Sequence, residues 1–480
     1  MAAFDFTRYD ALGLAGLIRS KEISAEELLD ATIARIEALN PKLNAVVHAH
    51  FDLARKAIAD GLPDGAFTGV PFLIKNTGFE VDGMILSTGS ELHRNTVSRR
   101  DGTLAARYKA GGLVILGKSN TPEFALSFTT ESDAFGPVHN PWDLTRTAGG
   151  SSGGSTAAVA AGLVAFANSS DGAGSTRLPA SHCGLFGFKP TRMRNPLGPV
   201  AVEAIAGMST PHAVSWSVRD NAALLDVSAG SDVGDPYAAP AEEGTYLASL
   251  ARPPKCLRIG MTLTAPTGTA IDPQVLAAVR DTARKLEGLG HHVEDVADAG
   301  YDGHALMKAW RIIAGVSAAT GISFSQQPGG PDPIEQIEPV NQEWVREGRS
   351  RSGIDYMWAI NQLHATARAL GRFFARYDIL LSPVADTPAP KLGELAGRGR
   401  HLDEFFARFW SHGPFTAAFN ASGCPAMSVP LAMSDDGLPI GIHFGAAFGR
   451  DALLFSLAAQ LEQAFPWFDR RPPAPFGHAA

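Results

Sequence analysis

TAGGSSGGSTAAVAAG, at Thr147–Gly162, is followed closely by SSDGAGSTRLPA at Ser169–Ala180, and these two runs decide how the chain is read. Each places a serine, Ser151 or Ser175, in a glycine-lined turn ahead of a run of small residues. Ser155–Ala161 reads as a small-residue helix and Leu163–Ala167 as a buried strand. Upstream, GVPFLIKN contains the apolar run Val70–Ile74, a buried strand that ends on Lys75. A helix at Thr103–Ala110 and a strand at Leu113–Leu116 continue the alternation, which predicts an α/β sheet covered on both faces.

Further out, Ser24 and Glu27 form a capping-box pattern that opens a helix, with Asn40-Pro41 expected to end it. The first sixty or so residues therefore read as helical. Residues 230–255 shift to Pro, Gly, Ala and Asp and read as a linker. A helix at Pro273–Leu289 is stopped by Gly290, with a strand at His292–Val296 and His291-His292 exposed at the junction. Residues 325–339 read as loop. Strands return at Tyr377–Val384, Met427–Leu431 and Ile440–Phe444, before a helix ending near Ala464. RRPPAPFGHAA, residues 470–480, reads as a loosely held tail.

Bulk properties exclude several classes. The chain has 480 residues, a formal charge of -8 and 45% hydrophobic residues. That is ample for a large core and lacks the clustered basic surface a nucleic acid needs. No apolar run approaches the roughly 20 residues of a membrane span, and no secretory leader is evident. Three cysteines without CxxC spacing suggest neither a disulfide framework nor a metal site. A cytoplasmic protein without metal or organic cofactor is the expectation.

Amide hydrolysis needs an activated nucleophile, a proton donor for the leaving amine and donors for the oxyanion. The small residues before Ser175 let backbone N–H groups converge, although a plain tight turn has the same composition. A serine at 151 or 152 could relay a proton, or could simply cap the next helix. Lys75, entering a dry interior, would have a lowered pKa suited to a base; a strand-end lysine can equally snorkel to solvent. Together, in this order, they read as the parts of an amide-type hydrolase.

The stretch from about Gly69 to Arg192 resembles the amidase signature family, through GVPFLIKN, TPEFALSFTTESDAFGPVHNPWDLTRTAGGSSGGSTAAVAAG and SDGAGSTRLPASHCGLFGFKPTR. FTAAFNASGCPAMSVPL and GLPIGIHFGAAFGRDALLFSLAAQLEQ extend the resemblance toward the end. It implies a three-layer α/β/α fold around one large mixed central sheet, as a single domain over 1–475. Within it, 69–230 and 370–465 would form the catalytic core, 230–370 a variable substrate cover and 471–480 a tail. It implies Ser175 as nucleophile, Ser151 as proton relay after a cis peptide bond, and Lys75 as base. The N–H groups of Gly172, Ala173, Gly174 and Ser175 would form the oxyanion hole, with Ser152 in support. Ala173 in place of a commoner Gly, Asn76 in place of Asp and Thr176 in place of Ile depart from the usual pattern.

The substrate would be a small-molecule amide. Among branches of the family, hydrolases of 6-aminohexanoate cyclic dimer are the most similar, with aryl-amide and carbamate hydrolases as alternatives. The glutamine-hydrolysing subunit of tRNA-dependent amidotransferases is another, and a catalytically inert binding protein a further one. A homodimer is compatible with the resemblance; the residues lining the substrate pocket are not legible.

Some motifs are decoys. GLVILGKS, Gly112–Ser119, fits GxxxxGK[ST] but is filled by a strand-like apolar run. GGSSG at Gly149–Gly153 fits GxSxG with His443 downstream, yet the preceding PWDLTRTA reads as a turn. Asn168 and Asn420 fit glycosylation acceptors without a secretory context. Phe405, Phe406, Phe409 and Trp410 could line a pocket, but their helical spacing is more often that of a core.

Overall fold

The alternating runs are realised as one eleven-stranded mixed sheet in a computed structural model that describes residues 5–477. Its first six strands are β1 (Val46–Ala49), β2 (Pro71–Lys75), β3 (Val114–Ser119), β4 (Phe166–Asp171), β5 (Phe186–Lys189) and β6 (Thr210–Ser215). The other five are β7 (Arg258–Met261), β8 (His292–Asp295), β9 (Ile379–Pro383), β10 (Ala426–Met433) and β11 (Pro439–Ala446). The spatial order is β1-β3-β2-β4-β6-β5-β10-β11-β9-β7-β8. β2 runs parallel to both β3 and β4. Their carboxyl ends, Lys75, Ser119 and Asp171, therefore open on one edge, where ligands commonly bind in such sheets.

Side-chain alternation builds the three layers. In β2, Phe72 and Ile74 pack on one face with Leu14, Leu104 and Leu224, while Leu73 packs on the other with Ile33, Ala157 and Val159. In β9, Ile379 and Leu381 face Val279 and Leu454; Leu380 faces the opposite layer with Ile313 and Phe373. The helices Gly303–Ser325, Pro339–Ser350, Gly353–Phe374 and Leu402–His412 belong to that second layer. Phe405, Phe406, Phe409 and Trp410 are buried there around Trp310 and Trp344, so they are core.

Several boundaries differ from the sequence reading. The first long helix, Ala25–Leu43, opens with the Ser24–Glu27 capping box but runs through Pro41. Asn40 compensates: its Oδ1 accepts from the N–H groups of Ala45 and Val46 and so holds the helix exit. Leu163–Val164 form a buried turn, and the strand instead spans the polar residues up to Asp171. Residues 258–295, expected within a variable region outside the core, supply two strands to the main sheet, with the helix Pro273–Gly288 between them. His291 is buried, bonded to Leu257 N–H and Gln460, while His292 is exposed. Phe476 is buried, and Arg35 donates to its carbonyl and that of Gly477, so the expected loose tail docks over 471–477. Residues 478–480 lie outside the described residues.

The helix Gly153–Ala160 is buried along its whole length and lies tight against the loop after β3. A Cβ on Gly154 would stand 2.3 Å from Asn120 N and 2.6 Å from Ala45 O, both backbone atoms that cannot swing aside. Gly154→Ala is expected to cost about 1–3 kcal/mol, the usual range for overpacking. A melting temperature equal to wild type by calorimetry would contradict that packing.

Candidate active site

Lys75 closes β2 with no side-chain exposure, and its backbone N–H donates to Asn168 Oδ1 of β4. Its Nζ donates to Ser151 Oγ at 2.7 Å and to Ser170 Oγ at 3.0 Å. Burial pushes the ammonium down to about 7, against the opposing pull of the nearby Asp171 carboxylate. An amine near neutral pKa, bonded to hydroxyls, can exchange protons with them.

Ser151 follows a cis peptide bond from Gly150 and is 1% exposed. Thr121 Oγ1 donates to its carbonyl. Ser152 stands at the N-cap position of the next helix but makes no side-chain cap. Instead its Oγ donates to Ser170 C=O and accepts from Ser170 N–H, and its own N–H donates to Ser175 C=O at 3.2 Å. Ser152 thus stitches the two serine turns together.

Ser175 is the more accessible serine, at 6%, and its Oγ has no hydrogen-bond partner among the described residues. Lys75 and Ser151 are joined directly; Ser175 is tied to that pair through backbone. Trp310 Nε1 donates to Gly172 C=O, Thr416 Oγ1 to Ala173 C=O, and Leu178 N–H to Gly174 C=O. Because a peptide is planar, fixing these carbonyls turns the N–H groups of Ala173, Gly174 and Ser175 the opposite way. Among the described residues, no protein acceptor takes the N–H groups of Gly172, Ala173, Gly174 or Ser175. A run of free donors beside a hydroxyl is what a developing oxyanion requires.

The departures from the family pattern are accommodated. Gly174 has φ +143 and a Cβ there would meet Thr416 Oγ1 at 2.6 Å, so glycine is required. Ala173 is absent from the positive-φ residues, and its methyl packs with Phe128, Leu178 and Trp310. Asn76 is paired in both directions with Ser87, and Thr176 Oγ1 shares a bond with Ser169 Oγ.

Residues not singled out from sequence hold this turn. Asp171 and Arg177 form an ion pair at 2.8 Å with both side chains fully buried. Burial works against the Asp171 charge, but Arg177 and the Asn420 amide outweigh it and hold the carboxyl well below the usual range. Arg177 also donates to Thr416 C=O and Asn420 Oδ1. Ser170 was legible in one respect: Asn168, Ser169, Ser170 and Asp171 make a polar run in an interior strand, where apolar residues are the rule.

The decoys resolve. Lys118 lies inside fully buried β3 and donates to Phe79 C=O, so GLVILGKS makes no phosphate loop. The residues before GGSSG do form a strand, Asp143–Thr147, contrary to the turn expected. It pairs with His139–Asn140 and bridges Lys391 through Arg146, outside the main sheet. His443 bonds Arg177 and Ser382 instead of either serine. Asn168 and Asn420 are buried. Among the described residues no His, Cys, Asp and Glu cluster could hold a metal, and no helix is long and apolar enough to cross a membrane.

A cavity of about 260 Å³ is lined in part by Ile205, which borders the turn. Its lining includes Phe124, Leu126, Ile205, Ala314, Ser317 and Ile322. Ile205 is the link, since a Cβ on Gly172 would touch its Cδ1 at 3.1 Å.

A buried amine, hydroxyls and free backbone donors on the carboxyl edge of an α/β sheet define a hydrolytic enzyme. Comparison with known proteins narrows the class. A family model described as Amidase matches residues 27–455. The chain is 39% identical over 475 residues to 6-aminohexanoate-cyclic-dimer hydrolase of Paenarthrobacter ureafaciens, covering 96% of each chain. A solved structure of 6-aminohexanoate cyclic dimer hydrolase complexed with substrate matches with a TM-score of 0.90 at 38% identity, over 97% of this chain and 99% of that one. A bacterial aryl acylamidase matches with a TM-score of 0.86 at 27% identity, over 96% of each. The chain belongs to the amidase family and is an amide-cleaving enzyme.

The Asp171–Arg177 pair gives a stability test. Arg177→Met strands a buried carboxylate and is expected to destabilise by about 3–5 kcal/mol. A denaturation midpoint within error of wild type would show that the pair does not brace the turn.

Proposed function

We propose that Ser175 is the nucleophile, Ser151 the proton relay and Lys75 the base of a metal-free amide hydrolysis. Neutral Lys75 draws a proton through Ser151 from Ser175, and Ser175 Oγ attacks the amide carbonyl. The N–H groups of Gly172 to Ser175 hold the oxyanion. The relay then runs backward, protonating the leaving amine, and water releases the acyl group by the same path. The observation that carries this reading is the 2.7 Å bond between Ser151 Oγ and a fully buried lysine held at about 7. Ser152 supports it by tying both turns together.

We infer an uncharged secondary or cyclic amide as substrate. The cavity lining carries no carboxylate, lysine or arginine. Its one titratable side chain, His93, is kept toward its neutral form by burial. That favours a neutral amide over glutamine, whose ammonium and carboxylate would lose their hydration without counter-charges. The relative in Paenarthrobacter, by its name, acts on such a molecule. On this reading the chain works as one catalytic unit, in the cytoplasm, without a partner subunit; a homodimer is compatible with it.

Purified wild type incubated with the cyclic dimer, anilides, carbamates and glutamine should yield ring-opened or secondary-amide products by mass spectrometry. Ammonia from glutamine alone would overturn the substrate reading. Ser175→Ala is expected to lose on the order of 10⁶ in kcat, as comparable nucleophile losses do. Retention of even a tenth of the activity would remove Ser175 from the role.

The base must be neutral, so kcat/KM should climb as pH rises through about 7 and then level off. A profile flat across that range in wild type would exclude Lys75 as the titrating base.

A further inference from the structure

Three walls of the cavity come from separate parts of the chain; two of them meet at one carboxylate outside it, and the third reaches it through a neighbouring helix. Thr88 and His93 flank Ser90; Phe124 and Leu126 follow Glu123; Ala314, Ser317 and Ile322 lie on the helix Gly303–Ser325. That helix packs against Pro339–Ser350 so closely that a Cβ on Gly348 would strike Gly315 backbone. Glu338 and Asn341 stand at the start of this second helix.

Glu123 is 3% exposed and fully engaged. Its Oε1 accepts from Ser90 Oγ at 2.5 Å. Its Oε2 accepts from Glu338 N–H and Asn341 Nδ2, both at 2.8 Å. The next two residues, Phe124 and Ala125, have φ of 53° and 59°, a left-handed conformation that non-glycine residues adopt only when held. Phe124 N–H donates to Thr88 C=O, closing the junction. Burial, with Glu123 alongside, also pushes the Glu338 carboxyl up to about 8.

We propose that Glu123 is a positioning residue for substrate: its carboxylate clamps the Ser90, Phe124 and Asn341 segments together and so sets the shape of the cavity that Ile205 borders next to Gly172. Glu123 does not touch the reacting atoms. Its loss should loosen substrate binding while leaving the serine and lysine chemistry intact. This inference rests on reading the cavity as the substrate site.

The test measures KM and kcat for 6-aminohexanoate cyclic dimer, together with the rate at which a small fluorophosphonate labels Ser175. Glu123→Ala should raise KM at least about tenfold, with kcat and labelling rate within about twofold of wild type. Glu123→Gln should restore KM to within about threefold, because its amide oxygen can accept from Glu338 N–H and Asn341 while its NH₂ donates to Ser90. Asn341→Ala removes one donor from the other side and should raise KM in the same direction; it carries the test if Glu123→Ala does not fold. Unchanged KM, no rescue by glutamine, or a parallel fall in kcat and labelling rate would each overturn the clamp. Ala318→Phe, which fills the cavity from the helix wall, separates the two ideas. If it raises KM and the clamp variants do not, the clamp fails alone; if none of them moves KM, the cavity reading fails with it.

Discussion

The buried ion pair between Asp171 and Arg177 brackets Ser175 on both sides, and the geometry of the Ser175 turn depends on it. Asp171 ends β4 and Arg177 opens the next helix, so the residues between them have a fixed start and a fixed finish. Around the pair, Asn420 donates to the Asp171 carboxylate and carbonyl, Thr176 N–H donates to the carboxylate, and Arg177 donates to Thr416 C=O. Thr416 in turn donates to Ala173 C=O. Two opposite charges in a dry interior gain little net stability over apolar replacements. What they supply here is direction, by pinning carbonyls on one side of the turn and leaving N–H groups free on the other.

Burial alone does not distinguish Lys75. Lys118 and Lys189 are equally buried and are likewise pushed down to about 7 by loss of hydration. The difference is in their partners. Lys118 donates to Phe79 C=O and Lys189 to Pro190 C=O, acceptors that hold no proton to give back. Lys75 meets two hydroxyls, which can donate to the amine once it is neutral. A depressed pKa makes a lysine a candidate base, and only an exchangeable proton opposite it makes the candidate useful.

The three-layer sheet was legible because many of its strands are apolar runs and its helices have clear stops, as at Thr103–Ala110 and Asp451–Ala464. Lys75, Ser151, Ser152 and Ser175 were legible as a set because glycine turns and a strand-end lysine stand in a recognisable order. What failed to show was whatever depends on distant partners. Nothing near Arg177 announces Asn420, and nothing near Gly172 announces Trp310, because these bonds span large sequence separations. Pro41 misled for a related reason: the helix exit is repaired by the Asn40 side chain, which propensity does not weigh. The tail misled because Phe476 docks on residues near the other end of the chain.

The same division explains how such a fold can keep one chemistry and vary its substrate. Every group proposed to move a proton or hold the oxyanion sits on β2, on β4 or on the two serine turns, all inside the sheet-bound core. The cavity walls instead come from a loop in a strained conformation and from a helix of the outer layer. Ile205 beside Gly172, Trp310 on the Gly172 carbonyl and Thr121 on the Ser151 carbonyl connect the two. With the cavity as the proposed substrate site, changes on the cavity face of the Gly303–Ser325 helix can therefore alter which amide fits without disturbing the Lys75–Ser151 bond. Changes at Trp310 reach the Ser175 turn as well, because its indole donates to Gly172 C=O and so fixes the peptide that carries Ala173 N–H.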